Sequence, residues 1–334
     1  MHSHHSHSGD YVAHGVDPLE DIVAQVVKMK FHTYCLTEHM PRIDEKFVYP
    51  EEMEGVENSS EAIDRLKTNF EKYLAHAKTI KNRPNEFGTK FLIGIEVESC
   101  DQNHIDFAKK FIAQNAETIQ FCVGSVHHVN KIPIDFDQEN WDRSLAASGN
   151  NLKKFLIEYY DTQYRMLTAL KPLIVGHVDL YKLYLADEMK LDPVTGECGE
   201  HGVGVGSFSI MSQWKSVRDA LIRNLKFVDS YGGAIEISTS ALRKKLKEPY
   251  PSKDICKLVE QYCGGRFVLS DDAHAVSHVG TCYDQALRYI LDTLTLKEMY
   301  YLAENDDNDV FLKSIPIADF KSNVFWKSNY NIEI

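Results

Sequence analysis

Residues 90–128 read KFLIGIEVESCDQNHIDFAKKFIAQNAETIQFCVGSVHH. An apolar run at Lys90–Glu96 is followed by a helical period near Asn103–Asn115 and a second apolar run at Thr118–Val126. Two strand-length runs separated by one helix-length segment predict parallel strands joined by a crossover helix. Each strand also stops at groups able to bind metals or move protons: Glu96 after Gly94-Ile95, and the pair His127-His128.

The same unit extends in both directions. Upstream, Asp17-Pro18 reads as an N-cap and a first-turn proline before a helix at Leu19–Met29. His32–Thr37 is a predicted strand stopping at Glu38-His39, and Ser60–Lys81 a helix. Downstream, helices are expected at Leu152–Leu170, Ile210–Ser230, Lys253–Cys263 and Tyr283–Leu294. Strands are expected at Leu173–Val175, Ala234–Ile237 and Arg266–Leu269, the first running into Gly176-His177 and the last into Ser270-Asp271-Asp272. Counting the His-rich N-terminus as a first strand gives seven. The expected fold class is α/β, a distorted TIM-like (β/α)7 barrel with its site at the carboxyl ends of the strands. A single barrel domain would span 1–334, with insertions at Pro41–Asn58, Asn130–Asn150 and Lys182–Ser207. The G-x-G-x-G at Gly202–Gly206 lacks the strand-to-helix setting of a dinucleotide fingerprint and reads as loop.

Composition narrows the function classes. Against 37 Lys and Arg stand 49 Asp and Glu, a net charge of −12 over 334 residues. That balance argues against general binding to nucleic acid or a membrane surface, both of which call for a basic patch. The 7 cysteines are odd in number and form no C-x-x-C pair, which suits a reducing compartment better than a disulfide framework. No apolar run reaches the roughly 18 residues of a membrane span, so a cytoplasmic location is expected.

Histidine is over-represented, at 15 residues, and His2, His4, His5, His7 and His14 crowd into the N-terminus with Ser3 and Ser6 interrupting them. In a strand, side chains i and i+2 share a face, so His5 and His7 point the same way, as do Asp272 and His274. Imidazoles and carboxylates without nearby thiolates suit catalytic Zn, Mn or Fe. A solitary strand-end histidine is more often a satisfied polar residue than a ligand. Six strand ends on one rim, each bearing a ligand-type side chain, is a different matter.

The order H-x-H, T-E-H, G-I-E, G-S-V-H, G-H-x-D and S-D-x-A-H resembles the polymerase-and-histidinol-phosphatase (PHP) superfamily. HSHHSHSGDYVAHG, YCLTEHMPR, EISTSALRKKLKEPYPS and LSDDAHAVSHVG are similar to its fungal histidinol-phosphatase branch, as far as about residue 292. The resemblance implies a barrel holding three divalent transition-metal ions and a phosphomonoesterase acting on L-histidinol phosphate in histidine biosynthesis. A metal-bridging hydroxide would be the attacking group. It matches His5 and His7 to the family's H-x-H, Glu96 to its metal-bridging carboxylate and Asp272 to the ligating aspartate of its D-x-H, with His127 and His177 completing a second metal with Glu96. His14, His39 and His274 would hold the third. Glu96, Asp272 and His274 are the implied catalytic members. The chain departs from the pattern at Ser3, where the family usually has aspartate, at the extra acid Asp271, and at the adjacent His127 and His128.

Arg243, Arg42 and His278 are the candidates for the substrate phosphate, since Arg grips phosphate by a planar fork. Lys244-Lys245 reads as a solvated helix start. His2 and His4 match nothing and are expected to be exposed, while Tyr34, Phe91, Tyr181 and Tyr184 are expected to pack the barrel and its insertions. Rival readings are a PHP-type phosphodiesterase, a phosphatase for another small ester, an amidohydrolase-type enzyme and a non-catalytic metal-binding protein. The net charge weighs against the first, and the lack of a bridging Lys on a middle strand against the amidohydrolase.

Overall fold

The computed structural model of the chain describes residues 1–332. Its centre is a parallel seven-stranded sheet of β1 (His2–Ser3), β2 (Thr33–Leu36), β3 (Lys90–Glu98), β4 (Phe121–Ser125), β5 (Ile174–Val175), β6 (Ala234–Ser238) and β7 (Phe267–Ser270), in that spatial order. Every neighbouring pair is parallel. A parallel bridge between Ser6 and Ala273, with the His7 N–H donating to the Ala273 carbonyl at 2.7 Å, joins the first strand back to the last. The sheet is thus a nearly closed (β/α)7 barrel, as expected.

The crossover helices follow their apolar periods. Leu19–Lys28 buries Leu19, Ile22, Val23 and Val26 on one stripe. Asp101 caps Gln102–Gln114 by accepting from the His104 N–H, and Asn151 caps Leu152–Leu170 by accepting from that of Lys154. The Asp17-Pro18 reading needs correction. Pro18 precedes the first helical residue, the Leu19 N–H is taken by Asp10, and the Asp17 carboxylate accepts from Val276 N–H instead. The helix expected over Ile210–Ser230 is two, Ile210–Gln213 and Lys215–Tyr231, interrupted at Trp214.

The insertions carry more order than their sequence suggests. The Asn130–Asn150 stretch holds a helix at Gln138–Ala147, and Lys182–Ser207 contains a three-stranded patch. The G-x-G-x-G is not wholly loop, because Val203–Gly204 pairs with Lys190–Leu191. Beyond the last expected helix lie an antiparallel hairpin, β8 (Glu298–Glu304) and β9 (Val310–Pro316), and two short helices.

The hairpin positions the barrel floor. Leu302 packs with Cys35, Leu92, Phe121, Val123, Ile174, Ala234 and Val268, the inward apolar residues of the strands. His4, expected at the surface, is fully buried between them: one ring nitrogen meets the Leu269 carbonyl at 2.8 Å and the other accepts from Leu302 N–H at 3.1 Å. His2 is buried too, stacked on Tyr301 with ring centroids 3.9 Å apart. Sequence alone gave these two histidines no partner because the hairpin that supplies it has no early signature. Among the described residues no helix is long and apolar enough to cross a membrane, and all seven cysteines are free.

Candidate metal centre

Strand alternation builds the site. On β3, Leu92 belongs to the floor, so Gly94, Glu96 and Glu98 continue up the same inner face. Gly94 must lack a side chain, since a Cβ there would lie 2.7 Å from the Phe121 ring. The rows above Cys35, Val123 and Val268 likewise lead to His39, His127 and Asp272, and the first strand brings His5 and His7.

Glu96 sits at the centre. Its Oε2 lies 3.1 Å from His5 Nε2, 3.3 Å from His7 Nε2 and 2.9 Å from His39 Nδ1. Its Oε1 lies 3.1 Å from His177 Nε2 and 3.5 Å from His127 Nε2. One carboxylate thus faces two separate sets of imidazoles. Asp272 Oδ1 is 3.6 Å from both His7 Nε2 and His274 Nδ1, and 3.9 Å from His5 Nε2. Ligand atoms within 4.8 Å of one another form the groups His5–His7–Glu96, Glu96–His127–His177 and His7–His39–His274. The third group contains His7 in the place expected for His14, whose ring lies 4.9 Å from that of His274 and 5.2 Å from that of His39.

A cation set fits these residues on their own geometry. His5 Nε2, His7 Nδ1 and Nε2, His39 Nδ1 and Glu96 Oε2 are all buried without a hydrogen-bond partner. Leaving so many polar atoms unmatched is costly unless an ion completes them. Charge tells the same story. Burial disfavours the ionised form of Glu96, yet His5, His127 and His39 hold its pKa well below the carboxylate range. Burial likewise opposes a charged His39, but Glu96 and Glu98 push its pKa up to about 10. Against burial, the nearby carboxylates raise the pKa values of His5, His39 and His177 in the same way, so an ion bound there has protons to displace.

A second layer orients the first. Glu236 on β6 is fully buried, with one oxygen 3.0 Å from His5 Nδ1 and the other accepting from the His177 N–H at 2.8 Å. That contact leaves His5 Nε2 facing Glu96, an arrangement common around metal-bound imidazoles. Asp271 faces the other way: its carboxylate accepts from Ser3 Oγ, Tyr34 OH and Gly280 N–H, and burial raises its pKa to about 6. Ser3 and Asp271, two of the three departures from the family pattern, are therefore partners of each other. His128 also points away from Glu96, towards Glu98 and Cys100, with the Phe47 and Tyr49 rings beside it.

The phosphate candidates all line one cavity of about 380 Å³ over the metal groups, together with Tyr49, Asp135 and Phe136. Arg243 donates from Nη1 to the Asp271 carbonyl and from Nη2 to that of Asp272, each at 2.8 Å. Arg42 is already paired with Glu98, lies 3.7 Å from Glu52 and stacks on Tyr49. His278 Nδ1 accepts from the His274 N–H. Lys244 lines the cavity as well; it is solvated as expected, but it ends the helical turn Ser240–Arg243 rather than starting a helix.

Sequence reasoning missed Glu98, Glu236 and Asp135. Glu98 was legible in principle, as the next inward position of G-I-E-V-E, had the strand been carried past Glu96. Asp135 lies in an insertion, where no period applies. Burial raises its pKa to about 6.

Comparison with known proteins agrees with this geometry. The family model "PHP domain" matches residues 3–240. Histidinol-phosphatase of Saccharomyces cerevisiae is 54% identical over 332 residues, 98% of this chain and 99% of that one. A Schizosaccharomyces pombe protein named "Probable histidinol-phosphatase" is 33% identical over 317 residues, 94% of each chain. A solved structure from Listeria monocytogenes superposes with a TM-score of 0.64 at 21% identity, covering 85% of this chain and 99% of that one, and so shares the fold. With a family match over most of its length and relatives aligned nearly end to end, the chain belongs to the PHP family.

Proposed function

We propose that the chain is a metal-dependent phosphomonoesterase that hydrolyses L-histidinol phosphate to L-histidinol and phosphate. The observation that carries the reading is Glu96, whose two oxygens face separate imidazole sets beneath a cavity containing Arg243. A near end-to-end alignment at 54% identity with a named histidinol-phosphatase supports this choice of substrate.

His5, His7, Glu96 and Asp272 would hold one ion, Glu96, His127 and His177 a second, and His39 and His274 with His7 or His14 a third. Such a cluster supplies hydroxide near neutral pH and neutralises phosphoryl charge. The protein residues do the rest. Arg243, tethered to the carbonyls of Asp271 and Asp272, presents its remaining N–H groups to the phosphate oxygens. Arg42, tied to Glu98, shapes the wall rather than gripping the ester. Glu236 keeps His5 oriented.

The cavity volume suits a small ester better than a polynucleotide, as does the net charge. The test is turnover of L-histidinol phosphate beside a panel of phosphomonoesters and a phosphodiester, before and after chelation, with elemental analysis. Preference for the first substrate, lost with the metal, is expected. A chain that favours the diester, or is indifferent to chelation, would overturn the reading.

A further inference from the structure

The cavity holds an anionic group that neither the metal groups nor the phosphate candidates use. Of the carboxylates lining it, Glu96, Glu98 and Asp272 each face imidazoles or Arg42. Glu51 sits on the 41–58 segment. Asp135 differs from all of them. Its Oδ1 is sealed from solvent without a hydrogen-bond partner, and no lysine or arginine nitrogen comes within 4.0 Å of its carboxylate among the described residues. His127 Nε2 lies 3.9 Å from Asp135 Oδ2 and 3.5 Å from Glu96, and the exposed Lys244 attracts the carboxylate from beyond contact distance. Beside it, the rings of Phe136 and Tyr49 stack with centroids 5.4 Å apart, giving that wall an apolar face. A carboxylate oxygen sealed from water with no cation in contact is costly, and a cation arriving with the ligand would relieve that cost.

We infer that Asp135 is the specificity residue that binds the ammonium group of the substrate. The inference rests on the reading above and deepens it. The phosphate must sit over the metal groups, where Arg243 borders Asp272. In an amino-alcohol phosphate such as histidinol phosphate, two carbons separate the nitrogen from the ester oxygen. The ammonium must therefore lie close to the metal groups themselves, not out at the cavity mouth. Asp135, next to His127, sits at that depth. With Arg243 and Lys244 as cations of the lining and the other central acids facing imidazoles or Arg42, Asp135 is the carboxylate left for a positive group. The imidazole end of the substrate then meets the Phe136–Tyr49 wall.

Asp135→Asn keeps the size of the side chain and removes its charge. The probes are L-histidinol phosphate and its des-amino analogue, 3-(imidazol-4-yl)propyl phosphate, with metal content and the Kd for free L-histidinol measured in parallel. The expected result is a fall in kcat/KM of about ten- to a hundredfold on the amine-bearing ester, from loss of a hydrogen bond between charged groups. The Kd for L-histidinol should weaken by a similar factor, while metal content and des-amino turnover stay within about twofold. An equal fall on both esters, or loss of metal, would place Asp135 in the metal centre and overturn the inference. So would unchanged discrimination between the esters. Failure of the unaltered protein to hydrolyse either ester would instead overturn the phosphatase reading, and the inference with it.

Discussion

Replacing Glu236 by Gln tests whether the second layer sets the metal affinity of the first. The carboxylate accepts twice, from His5 Nδ1 at 3.0 Å and from the His177 N–H at 2.8 Å. A glutamine of the same shape has one accepting oxygen and one donating nitrogen, so it can satisfy only one of these donors. If the amide oxygen keeps the His177 N–H, its NH2 faces His5 Nδ1. The ring must then flip tautomer, putting its proton on Nε2, the atom that faces Glu96 3.1 Å away. A protonated Nε2 cannot ligate. Loss of such an outer partner costs about 10- to 100-fold in metal affinity or activity, and a stranded buried donor about 1–3 kcal/mol of stability. Competition with a graded chelator, read by elemental analysis, gives the affinity. Chemical denaturation of the metal-free chain gives the stability. A Glu236→Gln protein that holds metal within twofold of the unaltered chain would show that His5 is oriented by packing alone.

Glu96→Gln should lower both metal content and turnover by more than any single imidazole substitution, because a neutral amide bridges two imidazole-bound cations poorly; elemental analysis with steady-state kinetics checks it. Arg243→Ala should reduce kcat/KM by about a hundredfold or more, from charge-assisted bonds of about 1.5–3 kcal/mol each, and weaken inhibition by inorganic phosphate in parallel. Because Arg243 also tethers the Asp272 carbonyl, some metal should be lost with it, and Arg243→Lys should restore only part of either property. His4 is buried neutral, burial holding its pKa at about 4 against an ordinary 6.5. The unfolded chain therefore takes up a proton that the folded chain refuses, so this group removes stability as pH falls from about 6.5 towards 4, by up to about 3 kcal/mol. The stability gap between the metal-free chain and its His4→Asn variant should shrink over that range in denaturation curves, and a constant gap would contradict the burial.

The barrel was legible because parallel strands and crossover helices impose two different periods on the chain. Residues 152–170 show it best, where the expected helix and the observed one coincide. The strand ends at His39, Glu96, His127, His177 and Asp272 were legible for the same reason, and they converge on one cavity. What escaped was whatever depends on a partner distant in sequence. His4 looks like a surface residue until Leu302 is known to donate to it. Glu236 lies in AIEIS, an ordinary apolar strand whose one acid gains meaning only from His5, 231 residues away. The D-x-H spacing singled out Asp272, which lines the cavity, whereas Asp271 does not. The pairing of Asp271 with Ser3 was not readable, since it needs both ends of the barrel.

The first strand touches both ends of the barrel through one short peptide. His4 is held by Leu269 and Leu302, whereas the next residue, His5, turns its ring to Glu96 and Glu236. During synthesis, residues 1–8 must wait for partners made about 270 to 300 residues later. Until the segment from β7 through the hairpin emerges, residues 1–8 have β2 as a neighbour but neither Ala273 nor Leu302 to lock against. A contact of such long range is slow to form and late in assembly. Metal loading through His5 and His7 is therefore expected to follow emergence of residues 267–302, so that fragments stalled before residue 267 would not carry a complete centre.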